Sequence, residues 1–388
     1  MNFLQVETRF AVLLLTSILG LGPLSAQGIS NSNASERKSA EFVVGRDGRP
    51  LLVLVSLDGK DFRFIVDTGA GKTAFDRSLR TKLGVLRGEQ RLRTSAGFLS
   101  VEVFDCPQAK IGPWGLDRIE TVLCLDLQPI RMASGQDIFG VLGMDFLRSY
   151  AMDVDFDRGR MRLMESAPQK WMRLGHRVPL SWKRGCPVAM VELPGKRHEG
   201  CFVDTGANIT TVRTNVYDAL SQEELLKPSD GQKSWTVSGE VDNRIGFVDQ
   251  LTLGPFSHRN LRLDRDPMSA LGLNYLSRYR LRCDFPNSVL IVDKGERFDK
   301  PEPNATSGMA ILQIDGRKVV HRVHPDGPAD LVGLQRGDII VELDRRQASK
   351  LDMFELGQKL MFEPDRKVSI KVERGNKTLS VDLLLKRR

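Results

Sequence analysis

Two stretches of the chain share one pattern of apolar and polar positions. Leu52-Val53-Leu54-Val55-Ser56-Leu57 is an apolar run closed by Asp58-Gly59-Lys60, and Phe64-Ile65-Val66 follows it. Paired apolar runs around a glycine-containing turn predict a β-hairpin. The same order returns as Val188-Ala189-Met190-Val191-Glu192-Leu193, then Pro194-Gly195-Lys196, then Cys201-Phe202-Val203. Each second strand runs into a carboxylate and stops at small residues, Asp67-Thr68-Gly69-Ala70 in one copy and Asp204-Thr205-Gly206-Ala207 in the other. Thr73 and Thr210 stand three residues beyond the alanines. One Asp-Thr-Gly is an ordinary turn signal. Two with the same lead-in are an internal repeat. Downstream, Val141-Leu142-Gly143-Met144-Asp145-Phe146-Leu147 is echoed by Ala270-Leu271-Gly272-Leu273-Asn274-Tyr275-Leu276. Both are followed by a tyrosine (Tyr150, Tyr279) and an Asp-Phe pair (Asp155-Phe156, Asp284-Phe285). One β-rich lobe is therefore duplicated in tandem.

Inside each lobe a further hairpin is predicted. Arg91 to Val103 alternates around Ser95-Ala96-Gly97, and Trp235 to Phe247 is centred on Ser238-Gly239. By position these would fold over a cleft as flaps; an ordinary surface hairpin is the other reading. Pro301, Pro303 and Asn304 then break the pattern and predict a linker. A different order follows: a strand from Gly308-Met309-Ala310-Ile311-Leu312 and a second from Val319 to Val323. Pro328 opens a short helix that Gly333 closes, Gly337-Asp338 turns into Ile339-Ile340, and Leu351 to Leu360 makes a helix.

At 388 residues the chain is too long for one core, and two or three domains are expected. Residues 1–26 read as a secretory signal peptide: Arg9, the apolar run Ala11 to Leu21, Pro23, and Leu24-Ser25-Ala26 before Gln27. The run falls short of the ~20 apolar residues that span a bilayer, so no integral membrane protein is expected after cleavage. Residues 27–40 are polar and read as a flexible tether. The remaining boundaries are 41–170 for the first lobe, 171–296 for the second, 297–306 for the linker and 307–388 for the last domain. The destination is export: periplasm, cell envelope or the outside. Net charge is +8, with basic residues scattered and no nucleic-acid motif. Five cysteines leave at least one thiol unpaired within the chain; Cys186 and Cys201 flank a hairpin and could meet across it. The five histidines form no metal pattern, and no cofactor or metal is called for. Neither a serine-hydrolase elbow nor a phosphate loop is present.

The paired hydrophobic-hydrophobic-Asp-Thr-Gly-Ala stretches, each with a later hydrophobic-hydrophobic-Gly, resemble the retropepsin-type aspartic peptidases over about Glu41 to Asp293. The resemblance implies a mainly β fold of two tandem β-barrel lobes in a pepsin-like arrangement, with one site completed within a single chain. Asp67 and Asp204 would be the catalytic pair, sharing a proton and holding the lytic water. Thr68 and Thr205 would lock the two loops together, and Gly69 and Gly206 would permit close approach. Ala70 and Ala207 stand where pepsin-like sites carry a hydroxyl; without that donor the pair should titrate higher. Ser95, Ala96, Gly97, Ser238 and Gly239 would be flap residues.

The order after the linker resembles a permuted PDZ domain of the α+β class, as in bacterial periplasmic proteases. It implies a carboxylate-binding loop at Gly308, Met309, Ala310 and Ile311 and a C-terminal peptide as ligand, bound by strand addition. Ala310 stands where a second glycine is common. The implied function is an exported aspartic endopeptidase acting on protein or peptide substrates. A catalytically silent peptide-binding protein and a protease gated by its PDZ domain are the alternatives.

Overall fold

The structure is a computed structural model that describes residues 38–387 apart from 95–96, 230–231 and 237–238. The expected signal peptide, most of the tether, and Ser95, Ala96 and Ser238 lie outside the described residues.

Strand Leu52–Leu57 buries Val53, Val55 and Leu57 and leaves the residues between them half-exposed, the period of two of a strand with one covered face. Asp58 and Gly59 both take positive φ, which suits the tight two-residue turn into strand Lys60–Val66. The second copy pairs Cys186–Leu193 with Arg197–Val203 around a single 3₁₀ turn, Pro194–Lys196.

Each hairpin seeds a sheet, and the two sheets share one strand order at their centres. In the first lobe it runs Ala74–Asp76, Ile138–Leu142, Lys60–Val66, Leu52–Leu57, Ala109–Ile111. In the second it runs Thr211–Arg213, Ala270–Leu271, Arg197–Val203, Cys186–Leu193, Leu251–Leu253. The strand preceding each later glycine lies parallel to the aspartate-bearing strand, with Leu142 opposite Val66 and Leu271 opposite Val203. Gly140 is required here, because a Cβ would fall 2.1 Å from the Phe64 ring, itself edge-on to Phe75.

A third sheet joins the lobes. It has six strands, Ser39–Val43, Arg160–Met164 and Ala151–Asp155 from the first lobe and Tyr279–Asp284, Val289–Lys294 and His176–Pro179 from the second. Its central seam pairs Ala151 to Val154 with Asp284 to Leu281. A single hydrophobic core runs through both lobes, from Val53 and Phe64 to Tyr275 and Leu290.

By its contacts the chain divides into two units. The described part of the first comprises residues 38–127 and 138–302; that of the second comprises Gln128–Asp137 and 303–387. The second unit holds the antiparallel sheet Met309–Ile314, Arg317–Val323, Ile339–Leu343, Lys367–Arg374 and Lys377–Leu384. The helix Met353–Met361 starts on a capping box between Asp352 and Glu355. Its apolar face closes a separate core with Ile311, Val320, Ile370 and Leu383.

Four details differ from expectation. Residues Ser39 and Ala40 belong to a strand paired with Arg160–Met164, not to the tether. The segment Gln128–Asp137, expected in the first lobe, groups with the second unit. The first half of the expected linker is fixed to the second lobe: Phe298 packs against Phe256, His258 and Tyr279, and Arg278 pairs with Glu302. None of the five cysteines forms a disulfide; the register sets Cys201 opposite Ala189, so Cys186 lies too far along its strand to reach it.

Candidate active site

Both aspartates are held by backbone before any side chain contributes. Asp67 N–H donates to Leu142 O at 3.0 Å and Asp204 N–H to Leu271 O at 3.1 Å, so each parallel strand pins the end of its aspartate strand. Each carboxylate then folds back on its own turn. Asp67 Oδ1 accepts from Gly69 N (2.9 Å) and Ala70 N (3.0 Å), and Asp204 Oδ1 accepts from Gly206 N (2.9 Å) and Ala207 N (3.0 Å).

Reciprocal contacts bring the two turns together. A Cβ on Gly69 would sit 2.4 Å from Asp204 Oδ2, and one on Gly206 would sit 2.3 Å from Asp67 Oδ2. Each carboxylate thus fills the space that a side chain on the opposite glycine would need. Thr68 Oγ1 donates to Val203 O (2.5 Å) and accepts from Thr205 N (3.0 Å). Thr205 Oγ1 donates to Val66 O (2.7 Å) and accepts from Thr68 N (3.2 Å). The four bonds cross between lobes in pairs and leave both threonines fully buried.

The electrostatics follow from that geometry. Asp67 is 1 % and Asp204 4 % exposed. Burial, then the charge of Asp204 and the carboxyl–carboxyl contact, push the Asp67 carboxyl well above the ordinary carboxylate range; the Gly69 and Ala70 amides act in the opposite direction. Asp67 Oδ2 is buried and accepts from no donor among the described residues. A proton held between the two carboxyls is what that arrangement accommodates.

Two residues outside the turn motifs complete the site. Asp145 accepts from Thr73 N (3.0 Å) and Thr73 Oγ1 (2.7 Å), and Thr73 Oγ1 in turn accepts from Gly143 N (3.1 Å). Asn274 Oδ1 does the same for Thr210 N and Oγ1, both at 2.8 Å, with Gly272 N donating to Thr210 Oγ1 at 3.2 Å. Burial raises Asp145, opposed by the Thr73 hydrogen bonds. These positions could have been found from their place in the repeat, four and three residues after Val141 and Leu142, and after Ala270 and Leu271. Cys186 adds an asymmetric contact, its thiol donating to Gly69 O at 3.3 Å.

The first-lobe hairpin, Leu86–Thr94 with Gly97–Asp105, buries Leu92 and Thr94 near its tip. On the other face Arg91 stacks over the exposed Phe98 at 4.5 Å. The counterpart, Gln232–Thr236 with Gly239–Asn243, stands as its own two-stranded sheet. Among the described residues no three His, Cys, Asp or Glu side chains gather as a metal site, and no helix is long and apolar enough to cross a membrane.

Residues 53–146, which contain Asp67 and its parallel strand, match the aspartyl protease family. Residues 302–385 match the PDZ domain family. The chain carries an aspartyl protease domain and a PDZ domain. The aspartyl protease match lies in the first lobe; the second repeats its strand order and its turn. No curated protein matches the chain. A solved photosystem II D1 C-terminal processing protease is similar over 22% of this chain and 24% of its own length, at 23% identity and a TM-score of 0.21. The chain therefore spans under a quarter of that protein.

In the PDZ domain, Gly308 takes φ +69° and lies tight against Pro328, where a Cβ would meet Pro328 Cδ at 2.9 Å. Met309, Ala310 and Ile311 open the edge strand, with a bulge between Ala310 and Ile311.

Proposed function

We propose that the chain is an aspartic endopeptidase that hydrolyses peptide bonds with a water activated between Asp67 and Asp204. The reciprocal seating of each carboxylate against the other lobe's glycine carries this reading. Two buried like charges that close cannot both ionise easily, so the pair keeps one proton over a wide range of pH. The ionised carboxylate takes a proton from water as the water oxygen attacks the scissile carbonyl carbon. The protonated carboxyl gives its proton to the carbonyl oxygen, forming a neutral gem-diol. The newly protonated carboxyl then protonates the amide nitrogen, the C–N bond breaks, and a gem-diol hydroxyl proton passes to the other carboxylate. The products are an acid and an amine, and the pair again holds one proton. The threonine cross-bonds keep the carboxylates positioned throughout, the rigid support that acid–base chemistry requires.

Ala70 and Ala207 offer no hydroxyl to the carboxylates, which favours an activity optimum nearer neutral than in sites having that donor. The N-terminal residues 1–26 support export to the periplasm, the cell envelope or beyond. The PDZ domain suits recognition of a substrate or partner.

The test is cleavage of an unstructured protein by residues 27–388 from about pH 4 to 8, beside Asp67→Asn and Asp204→Asn. Each substitution should lower kcat by about 10²–10⁴-fold, and a pepstatin-type analogue should inhibit the wild type. Wild-type activity in either variant would overturn the shared mechanism. A protein that merely bound peptide would show no cleavage to lose.

A further inference from the structure

The second unit contains ten residues from far upstream, Gln128–Asp137. The chain leaves the first unit after Leu127 and returns to it at Ile138. Within the second unit the helix Gln128–Ser134 lies against strand Met309–Ile314 and against helix Met353–Met361. Met309–Ile314 is an edge strand, paired on one side with Arg317–Val323. Such an edge and its flanking helix are the two walls between which a PDZ domain adds a peptide as an extra strand.

Specific contacts hold the segment there. Gln313 Nε2 on the edge strand donates to Gly135 O at 3.2 Å. Gly135 takes φ +65°, and a Cβ on it would fall 2.9 Å from Gln313 Oε1 and 3.1 Å from Met353 Cγ. One glycine therefore meets both walls, at a helix end that only a left-handed residue closes easily. The end is tied by Gly135 N donating to Arg131 O (2.7 Å) and by Gln136 N donating to Ser134 Oγ (3.1 Å). Ile130, Ala133 and Ser134 are buried, so the segment is packed and not merely adjacent.

We propose that Gln128–Asp137 is the built-in occupant of the PDZ groove, which an external peptide with a free carboxylate enters only by displacing it. Apparent affinity for such a peptide is then reduced by the fraction of molecules whose groove is open. The segment's flanks give displacement a consequence. Strand Thr121–Leu125 precedes it and pairs with Ala74–Asp76; strand Ile138–Leu142 follows it, and its Leu142 O accepts from Asp67 N–H. Peptide binding would therefore pull on the strand that pins Asp67, a coupling that rests on the peptidase reading, whereas occupancy of the groove does not.

The experiment compares the full chain with a full chain whose residues 128–137 are replaced by Gly-Ser sequence of equal length. Hydrogen exchange over Met309–Ile314 and binding of a fluorescein-labelled hexapeptide ending in free Val-Val-Val are measured on both. Replacement should speed exchange at the edge strand at least five-fold and tighten peptide binding by about ten-fold, with the amidated peptide unaffected. Equal exchange in the two chains overturns the proposal, whatever the peptide does. If the replaced chain does not fold by circular dichroism, Gly135→Val and Gln313→Ala serve instead; unchanged protection of Met309–Ile314 in both would be equally decisive against it. Neither readout involves hydrolysis, so failure here is distinguishable from an inactive dyad.

Discussion

Asp67→Asn should stabilise the folded protein while abolishing its proposed activity. Asparagine has the shape of aspartate, so Oδ1 can keep its bonds from Gly69 and Ala70, while Nδ2 takes the place of Oδ2, the buried acceptor that lacks a donor. The amide N–H then donates toward Asp204 and no second negative charge can arise. In the wild type burial and Asp204 raise Asp67, so the folded state resists ionisation more than the unfolded chain does. The sign follows by linkage: wild-type stability is undiminished below the ordinary carboxylate range and falls as pH rises through the folded value. Removing the ionisable group removes that linkage cost, about 1.4 kcal/mol for each tenfold difference in proton affinity between the folded and unfolded states, and each kcal/mol moves Tm by about 2–4 °C in a domain of this size. Thermal unfolding at intervals from pH 4 to 8 should therefore show no gain for Asp67→Asn in acid and a gain that grows toward neutrality. A variant less stable than wild type at pH 7, or a gain independent of pH, would refute the buried shared-proton argument without reference to any substrate.

Other consequences are equally direct. Gly69→Ala and Gly206→Ala put a Cβ within 2.6 Å of the opposite carboxylate; each should cost about 1–3 kcal/mol of stability, read by urea unfolding, and end cleavage. Thr68→Val leaves Val203 O and Thr205 N without their hydroxyl partner, costing about 1–3 kcal/mol. Combining it with Thr205→Val should give less than the summed loss, since the two form one network. His258, bonded to Tyr279 Oη at 2.6 Å, is lowered to about 4 by burial and then by the charge of Arg278. Its contribution is complete above the ordinary histidine range and lost as pH falls toward 4, by at most about 3 kcal/mol. His258→Gln should flatten that part of the stability profile.

What could be read from residues alone was what local pattern dictates. The alternation in Leu52–Leu57, the turn glycines and the repeated Asp-Thr-Gly-Ala placed two hairpins and their aspartates, because strand periodicity and glycine permissiveness act over a few residues. Asp145 and Asn274 were legible only as matched positions in the repeat; the support they give was not, because each lies 72 or 64 residues from the threonine it binds. Within its own segment each resembles an ordinary helix-start polar residue. Phe298 sits among prolines that suggested a loose linker, yet an aromatic cluster formed by Phe256, His258 and Tyr279 holds it. Gln128–Asp137 has too little periodicity to announce which core it joins, and tertiary contact decided it.

The seam between Ala151–Asp155 and Tyr279–Asp284 bears on how the protein behaves when scarce. A site completed by two separate chains disappears on dilution, since its halves must first find each other. Here the halves of the proposed site are tethered by the same polypeptide and stitched by a continuous sheet, so one chain supplies both aspartates. If the pair cleaves peptides as proposed, specific activity should hold constant down to the lowest concentrations an assay can detect. The two halves are also free to drift apart in sequence, as Asp145 and Asn274 already have, because a change in one is not imposed on the other.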